Sequence, residues 1–152
     1  MDSITIRPIT RNNWEDAIKI TVAEYQKPWV PSVMEGIAYA HIKPWDEALD
    51  PYIIDLNGAI IGFFYLSYTP GSEDNYWIGG FQIAKEFQGK GYGKQSMKTI
   101  IDFITQQHPN CKEISLTVEK ANDRAQSLYE SLLFVSENKT NAYDEMIYKL
   151  MV

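Results

Sequence analysis

The stretch of this sequence best suited to chemistry is Gln88-Gly89-Lys90-Gly91-Tyr92-Gly93-Lys94. Glycine at every second position lets the backbone turn with its N–H groups facing one side. A helix opening at the same point adds unpaired donors and a partial positive charge, which together suit a phosphate. Lys85, Lys90, Lys94 and Lys98 against Glu86 leave a net charge of +3 over residues 85–98. Two common phosphate loops are excluded by spacing. A Walker A loop needs four residues between its glycines and Ser or Thr after its lysine, but Gly89 and Gly93 enclose three residues and Gln95 follows Lys94. A dinucleotide-binding turn needs glycine where Lys94 stands, and follows the first strand of its βαβ unit instead of arriving past the chain's midpoint. On these residues alone, a glycine-rich strand-to-helix turn that binds nothing remains an alternative.

The elements that position this turn can be read from periodicity. Ile4, Thr5 and Ile6 alternate and stop at Pro8, which predicts a first strand. Asn12 and Glu15 have capping-box spacing, and Trp14, Ala17, Ile18, Thr21 and Val22 share a stripe, which predicts a helix before residues 26–31 break the pattern. Ser32 and Glu35 repeat the capping-box spacing for a shorter helix reaching about Ala40, and residues 41–51 read as turn. Two apolar runs around Asn57-Gly58 predict a hairpin with a type I′ turn, and a strand over Tyr76–Ile83 follows. Its adjacent Gly79 and Gly80 predict a bulge or a close backbone approach. After the glycine turn, Met97, Ile100, Ile101 and Ile104 mark a helix ending before Pro109, and Ile114, Leu116 and Val118 mark a strand. Asn122 can cap a helix carrying Ala125, Leu128, Tyr129 and Leu132, with closing strands over residues 134–136 and 145–149. This order predicts a mixed α/β (α+β) fold in which a mostly antiparallel sheet of about seven strands is flanked by about four helices.

Composition narrows the setting. The 152 residues suit a single domain spanning 1–152, and an apolar share of 45 % supports a sizeable core. Fourteen Lys plus Arg against twenty Asp plus Glu give a net charge of −6, so nucleic acid and anionic membranes are not expected partners. The excess is uneven: residues 1–75 hold five basic and eleven acidic side chains, and residues 76–152 hold nine of each. With one cysteine, no basic-then-apolar start and no apolar run of about 18 residues, a cytoplasmic protein is expected. His41, His108 and Cys111 lack metal-ligand spacing, so no metal is expected.

QGKGYG resembles the Gln/Arg-x-x-Gly-x-Gly/Ala motif of the GNAT N-acetyltransferases, and Asn122 through Glu130 resembles that family's Asn-x-x-Ala-x-x-Leu-Tyr segment. The resemblance implies acetyl-coenzyme A as co-substrate. Its pyrophosphate would lie on Gln88, Gly89, Lys90, Gly91, Tyr92, Gly93 and Lys94, and its pantetheine arm along main-chain groups of Gln82 and Ile83. Asn122 is implied as a contact to that arm, and Tyr129 as general acid. From periodicity alone, Tyr129 reads as a core aromatic with its hydroxyl at the rim. Many relatives carry a glutamate as base where this chain has Trp77, leaving Glu73 and Asp74 in the adjoining loop as candidates, and Leu133 stands where the family commonly has glycine.

The acceptor pocket of this fold is formed by the acidic first half, here with Tyr25, Trp29, Tyr39 and Trp45 among Glu24, Glu35, Asp46 and Glu47, plus Trp77. Aromatic faces and carboxylates suit a cationic amine, while for any one of these residues ordinary packing or solvation is the competing reading. Trp29-Val30-Pro31-Ser32, Ile61-Gly62-Phe63 and Tyr76-Trp77 are similar to the polyamine branch, which often has Arg-Phe where this chain has Gly80-Phe81. The expectation is acetyl transfer to a small polyamine or diamine, with a homodimer kept open. The alternatives are a peptide or ribosomal-protein N-terminal acetyltransferase, or a non-catalytic acetyl-coenzyme A-binding domain.

Overall fold

The computed structural model describes residues 3–152; Met1 and Asp2, part of the start read for a leader, lie outside the described residues. The strands are β1 (Ile4–Pro8), β2 (Ala48–Leu56), β3 (Ala59–Tyr68), β4 (Tyr76–Ile83), β5 (Glu113–Val118), β6 (Val135–Thr140) and β7 (Met146–Met151). The helices are α1 (Trp14–Ala17), α2 (Val33–Ile42), α3 (Tyr92–Gln107) and α4 (Asp123–Ser131). The seven strands form one sheet in the order β1-β2-β3-β4-β5-β7-β6, antiparallel except between β4 and β5. Helix α3 makes the crossover that a parallel pair requires.

Alternation along the central strands divides the core into two layers. Ile53, Phe63 and Tyr65 face a cluster with Ala17 of α1 and Val33 of α2, while Ile54, Phe64 and Leu66 face Met97, Ile100 and Ile104 of α3. Phe63 and Phe64 are both fully buried, one on each face. Each such side chain contributes about 1.5–3 kcal/mol relative to exposure. The β2–β3 hairpin closes through Asn57 (φ 52°) and Gly58 (φ 94°), both left-handed as a type I′ turn requires.

The first half departs from the periodicity. Helix α1 has four residues, and Asn12 does not cap it. Asn13 occupies the cap position, but its Oδ1 accepts from the Thr10 N–H (2.8 Å) and its Nδ2 donates to the Pro8 carbonyl (3.1 Å). Ile18, Ile20, Thr21 and Val22 are β-branched and extend a helix weakly, and the Thr21 carbonyl accepts from the Lys85 N–H (2.9 Å). That contact with a remote segment draws the chain away from the helical path. Residues 26–31, read as a break, include most of a 3₁₀ helix over Glu24–Trp29. The interval read as turn up to residue 51 ends inside β2, where Pro51 lies one residue past the last β1 pairing, Pro8 with Tyr52. There its missing N–H costs the β1–β2 ladder nothing.

Candidate active site

Strands β4 and β5 pair only at Trp77 with Ser115 and Ile78 with Leu116, and then part. On the other side of β4 the register with β3 shifts between Phe63 and Tyr65, as Gly80 adopts φ 63°. The two glycines have separate reasons. Gly80 permits the bulge, while a Cβ on Gly79 would lie 2.2 Å from the Tyr65 ring, which crosses the strand there. The bulge and the splay leave main chain of β4 beyond Ile78 without a ladder partner in β5. They open a cavity of about 420 Å³ between β4, the end of β5, α4 and the start of α3.

The glycine turn lines part of this cavity. Gly89 (φ 75°) and Gly91 (φ 85°) take left-handed conformations, and Gly91 is the residue before α3. Among the described residues, the N–H groups of Gly89, Lys90, Gly91, Gly93 and Lys94 donate to no protein acceptor. This cradle of donors at a helix N-terminus has the chemistry to hold a diphosphate. Gln88, Gly89, Gly91, Gly93 and Lys94 line the cavity. The Lys90 side chain instead lies over the Phe87 ring (5.9 Å), and Tyr92 meets the same ring edge-on (6.4 Å).

The two glutamines hold the site's walls. Gln88 and Gln26 exchange side-chain hydrogen bonds of 2.9 and 3.1 Å, and Gln88 Nε2 also donates to the Ile83 carbonyl (2.8 Å). Buried Gln82 donates through Nε2 to the carbonyls of Pro31 (2.8 Å) and Gly80 (3.1 Å). Both side chains therefore tie the 3₁₀ segment and its exit to β4, and Gln82 and Ile83 line the cavity.

Asn122 and Tyr129 line the cavity from α4. Asn122 Oδ1 accepts from the Ala125 N–H (3.2 Å), which caps the helix and fixes the side-chain amide at the cavity wall. Tyr129 is 7 % exposed, and burial pushes its phenol well above the usual tyrosine range, so it is protonated throughout neutral pH. Its hydroxyl has no hydrogen-bond partner among the described residues. The helix ends in a Schellman arrangement: the Phe134 N–H donates to the Tyr129 carbonyl and the Leu133 N–H to the Glu130 carbonyl (both 3.0 Å). Leu133 therefore takes φ 73° and points to solvent, 76 % exposed, in a conformation that favours glycine.

The acceptor side is rearranged relative to expectation. Trp29 lines the cavity, and Tyr25 packs against it edge-on (5.9 Å) without lining it. Glu35 is spent on the α2 capping box, its Oε1 accepting from the Ser32 N–H (3.0 Å). Trp77 lies outside the cavity lining and donates to Asn75 Oδ1 (3.0 Å). Glu24 pairs with Lys27 (2.6 Å), and Asp46 accepts from Ser67 and Asn75. Glu73 pairs with Lys112 (3.5 Å), and Asp74 accepts from Ser72 (3.2 Å). The carboxylates that do line the cavity are Glu119, after β5, and Glu145, before β7. Tyr65 joins them from β3, stacked on Trp45 (6.0 Å) and edge-on to Tyr39 (6.0 Å). No sequence spacing links these three, because the sheet brings them together across distant segments. Among the described residues no group of three or more His, Cys, Asp or Glu could hold a metal ion, and no helix is long and apolar enough to cross a membrane.

A sheet parted between the parallel strands β4 and β5, with a glycine cradle and a buried tyrosine lining the cavity there, defines an acyl-transfer fold of the coenzyme A-dependent class. Residues 14–134 match the acetyltransferase (GNAT) family, and the chain belongs to it as an acetyl-coenzyme A-dependent N-acetyltransferase. The chain is 28 % identical over 140 residues to a probable spermine N(1)-acetyltransferase of Bacillus subtilis subsp. natto (strain BEST195), covering 87 % of this chain and 88 % of that protein. Aminoglycoside acetyltransferase AAC(6')-Ib in complex with coenzyme A shares the fold at a TM-score of 0.79 and 18 % identity, over 98 % of this chain and 95 % of that one. Spermidine N-acetyltransferase from Vibrio cholerae, in complex with CoA and spermine, does so at 0.73 and 19 % identity, over 98 % and 94 %.

Proposed function

We propose that residues 1–152 act as a single cytoplasmic N-acetyltransferase domain that acetylates a primary amine of a small cationic acceptor, a polyamine or diamine, by direct attack in a ternary complex. The observation that carries this reading is one cavity lined both by the glycine turn, whose Gly89, Gly91, Gly93 and Lys94 N–H groups have no protein acceptor among the described residues, and by the aromatic and acidic residues Trp29, Tyr65, Glu119 and Glu145. The similarity to a spermine acetyltransferase supports the acceptor class.

In this reading the N–H groups of Gly89, Lys90, Gly91, Gly93 and Lys94 bind the diphosphate of acetyl-coenzyme A, with the Lys94 charge beside them. The main chain of Gln82 and Ile83 and the Asn122 amide orient the acyl-bearing arm in the β4–β5 gap. The bound co-substrate supplies an activated thioester, and unpaired β4 N–H groups stabilise the oxygen that gains charge during attack. A carbon–nitrogen bond forms and the carbon–sulfur bond breaks. Tyr129 gives its proton to the departing sulfur, an alkyl thiol of pKa near ~8.5, and recovers one from the nitrogen that has become an amide. Burial that keeps Tyr129 protonated suits it to this role.

Thiol release from acetyl-coenzyme A, followed with spermidine, spermine, diamines, aminoglycosides and short peptides, tests the proposal. Turnover is expected with the polyamines and diamines above the others. Tight cofactor binding without turnover of any amine would sink the enzyme reading, and a preference for peptides would replace the acceptor.

A further inference from the structure

We infer that Glu145, presented by the turn between β6 and β7, is the carboxylate that receives the acceptor's ammonium and removes its proton before attack. This assignment rests on the amine-acetyltransferase reading above and supplies the proton acceptor that the missing strand-four glutamate leaves open.

The turn is built to hold this side chain still. The Asn141 N–H donates to the Glu145 carbonyl (3.0 Å), and Asn141 Oδ1 accepts from the N–H groups of Tyr143 and Glu145 (both 3.0 Å). Asn141 Nδ2 then donates to Glu145 Oε1 (2.8 Å). Lys120 bonds Asp144 (2.9 Å) and fastens the turn to the segment after β5. One carboxylate oxygen is thus fixed, while Oε2 has no partner among the described residues on a half-buried side chain that lines the cavity. Such an oxygen can accept a proton from an ammonium without the side chain first having to order itself.

The surrounding groups place it at the acceptor end. Tyr65 is pushed up to about 12, chiefly by burial, with Tyr39 and the charge of Glu145 adding to it, so Tyr65 is neutral and close enough to Glu145 to feel that charge. The titratable and charged groups that line the cavity with Glu145 are Tyr65 from β3, Glu119 after β5, Lys94 from α3, and Arg124 and Tyr129 from α4. Proton bookkeeping closes: the N–H bond of the ammonium breaks, an O–H bond forms on Glu145, and the proton passes to water before the next turnover.

The pH dependence of kcat/KM for spermidine in Glu145→Gln and Glu145→Asp tests the assignment, with acetyl-coenzyme A affinity measured by calorimetry. Glutamine keeps an oxygen for Asn141, so fold and cofactor affinity should stay within twofold of wild type. E145Q should lose a factor of about 10²–10³ in kcat/KM, within the usual range for general bases. Its rate should climb with pH toward the free amine's own range near ~10.4, while wild type levels off earlier. E145D should recover part of the loss. An E145Q enzyme within threefold of wild type and with the same pH profile overturns the role of Glu145 alone. The same collapse in E119Q, with E145Q active, transfers the role to Glu119 and also overturns it. A wild-type enzyme that binds acetyl-coenzyme A but acetylates no amine brings down the functional reading together with this one.

Discussion

In the proposed reading, the cofactor end of the cavity comes from one continuous stretch, Gln88 through Lys94, whose last three residues open α3, whereas the acceptor end draws on five separated segments: Trp29, Tyr65, Gly79-Gly80, Glu119 and Glu145. The first depends on local backbone conformation, with Gly89 and Gly91 left-handed and the N–H groups of Gly89, Lys90, Gly91, Gly93 and Lys94 without a protein acceptor among the described residues. The second depends on sheet order, because β3, β4, β5 and β7 must lie side by side before these residues meet. A site that binds a constant chemical group can be written into a local turn. An acceptor site assembled by tertiary structure can vary one contributing segment at a time. Gln82 and Gln88 join the two ends, since both fasten the segment carrying Trp29 to the cofactor strand.

Tyr129 lines the same cavity from α4, and its removal should have a larger effect than any change in the cofactor turn or at Leu133. Tyr129→Phe is expected to lower kcat by about one to three orders of magnitude while acetyl-coenzyme A affinity changes little, a separation that steady-state kinetics and calorimetry measure directly. Because burial raises the phenol's pKa, the sign for pH is definite: loss of its proton should not reduce activity until pH exceeds the ordinary tyrosine value of ~10. Wild-type turnover in the variant would remove Tyr129 from the mechanism and leave only its packing on Phe134 (5.8 Å).

A second comparison separates conformation from contact within the cofactor turn. Gly91→Ala places a side chain at φ 85°, which costs about 1–2 kcal/mol, and should weaken acetyl-coenzyme A binding by about tenfold or more while lowering the melting temperature. Gly93 lies in α3, and a Cβ there would meet only Leu128 at 3.8 Å, an ordinary contact. Gly93→Ala should therefore leave the fold unchanged or stabilise it by about 0.5–1 kcal/mol, yet weaken the cofactor if the phosphates approach that backbone closely. Unchanged affinity in both variants would break the assignment of the turn to the cofactor.

Legibility in the sequence followed the same division. Strands β3 and β4, the type I′ turn and the Asn122 cap were readable because alternation, Asn-Gly and capping chemistry act within a few residues. The bulge was readable from Gly79-Gly80, but the Tyr65 ring that also requires Gly79 comes from the neighbouring strand. The stripe from Trp14 to Val22 overstates the first helix, because helical spacing says nothing about the remote Lys85 N–H that draws Thr21 away. The regional charge points to the first half as the acidic acceptor wall, yet Glu24 and Glu35 are occupied by partners three residues away and Asp46 by Ser67 and Asn75, and the cavity takes its carboxylates from Glu119 and Glu145. Net charge counts side chains; it does not record which of them already have hydrogen-bond or ion-pair partners.

Leu133 supplies the smallest expected effect and shows where the resemblance to the family and the structure speak to one another. The family's usual glycine at this position has a physical reason here, since the Schellman bonds that end α4 impose φ 73° on whatever residue follows Leu132. A leucine, 76 % exposed, gains little packing to offset a left-handed backbone. Leu133→Gly should therefore raise stability by about 1 kcal/mol, the relief of αL strain less the extra entropy glycine loses on folding. Urea unfolding measures it. Activity should not change, because the Tyr129 carbonyl keeps its bond from the Phe134 N–H in either case. A loss of stability on Leu133→Gly would mean that the exposed leucine is covered in the working protein, making the departure from glycine a contact and not a tolerated strain.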